Sequence, residues 1–359
     1  MGASLGTSAG ADSSVISIGG LSDFSGGLLE LVADLARNAT FPNEEFERLR
    51  RHRLEELRID RTTPGFLASE RLRRVLFGAH PYATVAPTEE QVGAYRREQL
   101  ENFYHQNYVP ANGLLIVVGD FSAERMLEQI EKTFGSWQAG EPGKLEAAEP
   151  PAIYGRHVHL VHLPGTVQTD VMVGNRAINR HSPDWRRLLL ANTIYGGAFN
   201  SRLVANIREQ KGYTYSPRSS AHPLRLAGYF TVHAAVRNEV AAATLTEIFY
   251  EMDRIRALAV SEEELANARN YLSGVFSLGV ATQDGLASQL SLVYLEKLPE
   301  DYLETHREKI RALTEDDVLT AARKYFDSPN AQIVLVGDRE QIEPQAALFG
   351  DVEVHAAKS

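Results

Sequence analysis

Residues 112–120 read Asn-Gly-Leu-Leu-Ile-Val-Val-Gly-Asp, and residues 330–338 read Asn-Ala-Gln-Ile-Val-Leu-Val-Gly-Asp. The two stretches lie 218 residues apart, and the same offset carries the Asn-Glu-Glu of 43–45 onto the Ser-Glu-Glu of 261–263. Each long stretch is an apolar, β-branched run bounded by turn residues, the pattern of a buried strand. The repeated spacing predicts an internal duplication and therefore two homologous domains.

The duplication is not symmetrical at its start. Residues 65–69 and 285–288 share Gly and Leu-Ala-Ser within two residues of the same offset. If the second copy begins near Pro151, its first stretch, 152–218, has no counterpart in the first copy. We therefore expect the first domain to be incomplete at its N-terminal side.

Composition limits the classes of protein to consider. A chain of 359 residues suits two domains, and 43% hydrophobic with 23% charged residues is typical of a soluble globular protein. The formal net charge of −10 disfavours binding to nucleic acid. No apolar run approaches the roughly 20 residues needed to span a bilayer. The absence of cysteine excludes disulfides and thiolate metal sites and fits cytoplasm and periplasm equally.

Hydrophobic periodicity predicts similar elements in both copies. In the first copy it predicts a strand at 15–18, an amphipathic helix through Leu28, Leu31, Val32 and Leu35, helices at 43–59 and from 64 to 76, and a buried strand at 114–118. In the second copy it predicts a strand at 156–162 and helices at 184–194, 245–255 and 262–278. Strands and helices do not alternate strictly, so we predict an α+β fold with two α/β-sandwich domains.

The joint between the domains is predicted from local composition. Residues 139–143 read Ala-Gly-Glu-Pro-Gly, and residues 149–151 read Glu-Pro-Pro. Such Gly- and Pro-rich sequence is typical of a linker. We predict a first domain at 1–140, a linker at 141–152 and a second domain at 153–359.

Three histidines on one predicted strand suggest a metal site at first sight. His157 and His159 share one face of a strand, whereas His162 lies on the other. Three ligands cannot converge from one flat strand in this pattern. Histidines at the end of a sheet are the favoured interpretation.

A Gly-rich segment followed by a basic helix is the most specific functional pattern. Residues 195–203 read Tyr-Gly-Gly-Ala-Phe-Asn-Ser-Arg-Leu, and a helix is predicted to end at Gly212. Arg208 and Tyr215 lie across that helix end and can point toward one place. A guanidinium and a phenol bind a carboxylate or a polarised carbonyl well. A surface ion pair and a packed tyrosine explain the same residues equally well.

With these residues in view, the whole chain resembles the insulinase/pitrilysin family of zinc peptidases, especially its small bacterial members. The resemblance rests on the duplication, on Gly78-Ala79-His80-Pro81-Tyr82, on the block ending in Val118-Gly119-Asp120, and on the Gly-Gly, Ser-Arg-Leu and Gly-x-x-Tyr segments around Arg208. It implies two domains closing like a clamshell on a peptide substrate, each a mixed, mainly antiparallel sheet with helices on one face.

The resemblance also implies site residues. Arg208 and Tyr215 match the pair that holds substrate near the scissile bond, and Glu56 matches the distant zinc ligand. The remaining residues implied in substrate binding are Ser4, Leu5, Gly6, Thr7, Gly197 and Ser201. The family's first domain carries a His-x-x-Glu-His motif, which this sequence lacks.

Zinc is therefore expected for the family but not for this chain alone, because one carboxylate cannot hold the ion. Three interpretations remain open. The chain is an N-terminally truncated peptidase, or the non-catalytic partner of a homologous zinc-bearing subunit or of a second copy of itself, or a structural scaffold without activity. On the first two interpretations the partner molecule is a peptide substrate.

Overall fold

The computed structural model of the chain describes residues 2–143 and 147–357. Residues 144–146 of the predicted linker, and 358–359 of the predicted second domain, lie outside the described residues. The contacts divide the chain into two compact units. Unit 1 consists of Met1–Glu55, Thr88–Glu146 and Gly279–Leu298, and unit 2 consists of Glu56–Pro87, Ala147–Leu278 and Pro299–Ser359.

The described residues form strands and helices throughout the chain. The strands are β1 (Ser4–Ala9), β2 (Ser14–Gly19), β3 (His157–His162), β4 (Gln168–Ala177), β5 (Arg218–Pro223), β6 (Gly228–Arg237), β7 (Gln332–Gly337) and β8 (Val352–Ala356). The α-helices are α1 (Ser25–Arg37), α2 (Asn43–Asp60), α3 (Pro64–Phe77), α4 (Glu89–Ala94), α5 (Arg97–Asn107), α6 (Ala123–Phe134), α7 (Trp185–Asn192), α8 (Ala241–Ala257), α9 (Glu262–Gly279), α10 (Gln283–Leu295), α11 (Tyr302–Arg311), α12 (Glu315–Tyr325) and α13 (Arg339–Ala346). Two further segments are π-helical, Thr193–Gly197 and Val204–Gln210.

Unit 2 contains a six-stranded mixed sheet. Its strand order is β5-β6-β4-β7-β3-β8, in which β5, β6, β4 and β7 pair antiparallel and β7, β3 and β8 pair parallel. Strand β7 pairs with β3 and β4, and it is buried at every residue because its side chains pack into apolar clusters on both faces of the sheet. The predicted α+β class, with a mixed and mainly antiparallel sheet, is confirmed.

Helices cover both faces of this sheet, whereas one face was expected. The larger core lies between one face and helices that include α7, α8 and α12. The apolar residues that give α8 its helical periodicity are all buried there, namely Leu245, Ile248, Phe249, Met252 and Ile255. On the opposite face α3 packs against β4 and β7 through Leu67, Leu72 and Leu76. Helix α3 belongs to the first sequence copy, and the sheet it covers belongs to the second. The sequence of the first copy therefore does not predict this packing.

Unit 1 has a smaller apolar interior. Strands β1 and β2 form an antiparallel pair, and α1 packs against β2 and α6. Both extensive core clusters of buried residues lie in unit 2. The buried apolar side chains of unit 1 are Leu28, Leu29, Ala33, Ala36, Val92, Tyr104, Met126 and Val293.

Two predictions in the first copy need correction. Helix α1 forms as expected, but Leu31 and Leu35 are 41% and 38% exposed, because its buried face passes through Ala33 and Ala36. The predicted strand at 114–118 does not form within the described residues, and Leu114 is 45% exposed. Its counterpart β7 pairs with β3 and β4, whereas no described strand pairs with 114–118.

Each sequence copy contributes one helix to the unit built mainly from the other copy. Helix α3 belongs to unit 2, and α10, which carries the matching Gly-x-Leu-Ala-Ser-like segment, belongs to unit 1. One change of unit, between 146 and 147, falls inside the predicted linker. The predicted domains are contiguous in sequence, whereas the two units are defined by contacts. The predicted division at 141–152 therefore stays a prediction.

Candidate functional site

The candidate site lies around two π-helical segments of unit 2, the first of which ends in Gly196 and Gly197. π-Helical segments are rare in proteins, and those that do occur are often found at functional sites. This first segment follows α7 directly. A Cβ on Gly196 would lie 2.6 Å from Leu203 Cδ1, and one on Gly197 would lie 2.6 Å from Asn192 Nδ2. Packing therefore explains both glycines, and substrate contact by Gly197 stays a prediction.

The second π-helical segment is fixed by buried polar side chains. Arg202 is 8% exposed, and its Nε and Nη2 donate to the two carboxylate oxygens of Glu264 at 2.6 and 3.0 Å. Asn206 Nδ2 donates to Glu247 at 2.9 Å and to Glu251 at 3.0 Å. These bonds set the direction of the helix that carries Arg208.

Ser201 lies inside rather than on the surface. Its side chain is 2% exposed, and within the described residues its hydroxyl has no hydrogen-bond partner. Arg202 and Asn206 line, with Ser201, a cavity of about 440 Å³. A role for Ser201 in substrate binding stays a prediction, and it would require the ligand to enter this cavity.

Arg208 and Tyr215 occupy the two sides of a chain reversal. The Arg208 guanidinium carbon lies 4.7 Å from the centre of the Phe199 ring, and its Nε lies 3.3 Å from the Glu209 carboxylate. The reversal occurs at Gly212, whose φ is +64°, and the Tyr213 amide donates to the Ile207 carbonyl at 3.0 Å. The helix end predicted at Gly212 is thus confirmed.

Arg208 and Tyr215 do not contact each other in the described part of the chain, and they differ in exposure. Tyr215 is 88% exposed, whereas the Arg208 side chain is 31% exposed. Within the described part of the chain, no hydrogen bond or ring contact joins the two residues. The sequence analysis did not predict a role for Phe199, whose ring lies against the Arg208 guanidinium. The only sequence feature that could have indicated it is the position of an aromatic residue directly after Gly-Gly-Ala.

The residues of unit 1 that are predicted to bind substrate lie on an exposed strand. Ser4, Leu5, Gly6 and Thr7 belong to β1, whose residues are all exposed. In the described residues β1 pairs with β2 alone, so its other edge has free backbone groups. Such an edge can accept an added strand.

Glu56 is the residue that matches the distant zinc ligand of the family. It lies half-buried on α2. Within the described residues, one group of three or more His, Asp or Glu side chains has ligand atoms close enough to share an ion, and Glu56 is not a member. The described residues around Glu56 therefore do not fit a complete zinc site.

Comparison with known proteins agrees with this architecture. Residues 94–272 match the family model described as the peptidase M16 inactive domain. A protein named as an uncharacterized zinc protease of Bacillus subtilis is 22% identical over 262 residues, 73% of this chain and 63% of the relative. A Mycobacterium leprae protein of similar name is 27% identical over 73% of this chain and 59% of the relative.

Among solved structures, the peptidase M16 inactive domain from Pseudomonas fluorescens superposes with a TM-score of 0.86 at 26% identity, covering 94% of this chain and 81% of the other. The prediction of an insulinase-type relative is confirmed. The chain spans less than two thirds of the length of these curated relatives. No described helix has the length and apolar character needed to cross a bilayer.

Proposed function

Since this chain belongs to the insulinase (M16) family of peptidases, we propose that its unit 2 holds a peptide substrate through Arg208 and Tyr215. The observation that carries the proposal is the chain reversal at Gly212, with an aromatic-supported guanidinium before it and an exposed phenol after it. The relatives are named as uncharacterized zinc proteases, and the matching family model is that of the inactive domain.

The chemistry of the two side chains supports this role. A guanidinium is always charged and donates hydrogen bonds only, so its natural partner in a peptide is a carbonyl oxygen or a terminal carboxylate. Stacking on Phe199 restricts the Arg208 side chain, which reduces the entropy lost on binding. Tyr215 has a hydroxyl that can donate to the same oxygen once the exposed loop closes on a ligand.

Peptide hydrolysis itself requires ligands that the residues around Glu56 do not provide. We propose that the zinc-binding half is supplied by a homologous zinc-bearing chain or by further sequence of a longer protein. The alternative is a scaffold without activity. Native mass spectrometry of the protein from its source separates these possibilities. A longer chain or a two-chain complex that carries zinc beyond what this chain binds alone supports the peptidase role, and an assembly of this chain alone without such additional zinc supports the scaffold.

Peptide binding tests the role of unit 2 directly. Fluorescein-labelled peptides from unfolded casein serve as probes, and binding is followed by anisotropy with the full chain. Arg208→Ala should weaken binding about 10- to 100-fold, because a charge-assisted hydrogen bond contributes about 1.5–3 kcal/mol. Tyr215→Phe should weaken it by a smaller factor, about 2- to 10-fold.

Matched controls are available in the same unit. Arg311 is an exposed arginine of α11, and Tyr250 is an exposed tyrosine of α8. Arg311→Ala and Tyr250→Phe should leave peptide binding unchanged. If Arg208→Ala and Tyr215→Phe bind peptide as the wild type does, the pair has no role in holding substrate.

A further inference from the structure

Three potential metal ligands meet on the outer two strands of the unit 2 sheet. In the parallel register His159 of β3 lies beside Glu353 of β8, and His355 follows two residues later on the same face. His159 Nδ1 lies 3.2 Å from Glu353 Oε2, and His355 Nε2 lies 3.4 Å from Glu353 Oε1. One ligand atom from each residue lies within 4.8 Å of the other two.

We propose that His159, Glu353 and His355 bind one zinc ion at this edge of the sheet. Two imidazoles and a carboxylate are an established zinc donor set, with bonds of about 2.0–2.2 Å. In a tetrahedral site such bonds place neighbouring ligand atoms about 3.3–3.6 Å apart. The two distances lie close to this spacing, but they go to different oxygens of Glu353, so the carboxylate must turn for one oxygen to serve as the shared ligand.

Surrounding contacts orient the ligands. His159 is 6% exposed, and its Nε2 lies 3.4 Å from Gln332 Oε1 on β7. If Nε2 carries the proton and donates to Gln332, the lone pair on Nδ1 points to the cluster; such outer bonds commonly fix a histidine ligand. His355 Nε2 is buried and forms no hydrogen bond within the described residues.

A positive side chain already lies against the proposed site. Arg71 of α3 has its Nη2 at 3.2 Å from both His159 Nδ1 and Glu353 Oε2. A zinc ion must displace this guanidinium, because two cations cannot share the same ligand atoms. A plain Arg71–Glu353 ion pair flanked by two histidines is the alternative. The two explanations predict different effects of removing Arg71, because its removal strengthens metal binding only if the three residues form a metal site.

The ion would join the last strand to the sheet. Strand β8 is an edge strand that pairs only with β3 among the described residues. Because zinc would bind the folded arrangement and not the separated strands, its binding should protect β8 from opening. This role is structural and does not depend on the peptidase chemistry.

Cobalt titration of the untagged, metal-stripped full chain tests the proposal, because Co²⁺ replaces Zn²⁺ and absorbs visible light in a tetrahedral site. We expect one Co²⁺ per chain, displaced by Zn²⁺, and slower hydrogen exchange of 352–356 in its presence. His355→Ala and Glu353→Gln should each weaken binding at least about 100-fold. Arg71→Gln should strengthen it about 10-fold or more, since a competing charge is removed.

His157→Ala is the matched control, because His157 lies on the same strand and its ring contacts the Tyr154 carbonyl instead. Glu56→Gln separates this site from any metal bound at α2. Both variants should bind Co²⁺ as the wild type does. Absence of Co²⁺ binding by both the wild type and Arg71→Gln, or equal binding by His355→Ala and the wild type, would overturn the proposal.

Discussion

At the residue scale, the Arg202–Glu264 pair determines where the helix of the candidate site can lie. Burial alone would raise the pKa of Glu264, but hydrogen bonds from Arg202 and Ser261 outweigh it and lower the pKa to about 2. A carboxyl with a depressed folded-state pKa stabilises the fold above its ordinary value and loses that contribution as pH falls. The relevant window runs from about pH 4.5 down to about 2.

Glu264→Gln should lower the free energy of unfolding at pH 7 by about 1–3 kcal/mol, because it leaves the buried guanidinium of Arg202 without its charged partner. Denaturant unfolding at several pH values measures this. The gap between variant and wild type should narrow between pH 4.5 and 2. Glu343→Gln, in the exposed pair with Arg339, serves as the control and should change stability little. A gap that stays constant through acid would refute the assignment.

At the element scale, the packing of α3 on the unit 2 sheet requires a glycine in β4. A Cβ on Gly174 would lie 2.7 Å from Leu72 Cδ2 and 2.9 Å from the Phe230 carbonyl oxygen. Leu72 is buried, and its helix covers the sheet face opposite the larger core. The close approach therefore depends on the absence of a side chain in β4.

Gly174→Ala should destabilise the protein by about 1–3 kcal/mol, because the added methyl overfills a packed interface. Thermal or urea unfolding measures the change. Gly274 of α9 offers a matched control, since its added Cβ would meet no atom within 4 Å. Gly274→Ala should be neutral or stabilise by about 0.5–1 kcal/mol, as expected for an exposed helix interior. Equal effects at the two sites would contradict the packing role of α3.

At the scale of the whole molecule, the two units differ in how much apolar surface they bury. Both core clusters lie in unit 2, whereas unit 1 buries few apolar side chains. Hydrophobic burial is the main favourable term in folding, so local stability should differ between the units.

Amide hydrogen exchange should therefore be faster in unit 1 than in unit 2. The comparison is made between similar secondary structure, namely α1 and α6 in unit 1 and α8 and α12 in unit 2. A homologous partner that covers unit 1 should slow its exchange selectively. Equal protection of the two units in a monomer would show that the difference in burial does not control their stability.

The sequence by itself determined what depends on local pattern and on the duplication. The helix at 43–60, the strand at 157–162, the buried face of α8 and the helix end at Gly212 followed from periodicity and turn chemistry, because these depend on residues close in the chain. The Gly-rich block around Arg208 pointed to the family for the same reason.

Only the tertiary structure decided which segments meet. The apolar run at 114–118 lacks the pairing that holds β7, so a similar pattern gave a strand in one copy and none in the described residues of the other. The exchange of α3 and α10 between units, and the meeting of His159 with Glu353 and His355, join residues far apart in sequence. Strand pairing and helix packing depend on contacts between residues far apart in the chain. The local sequence pattern does not specify which segment a strand or helix will contact.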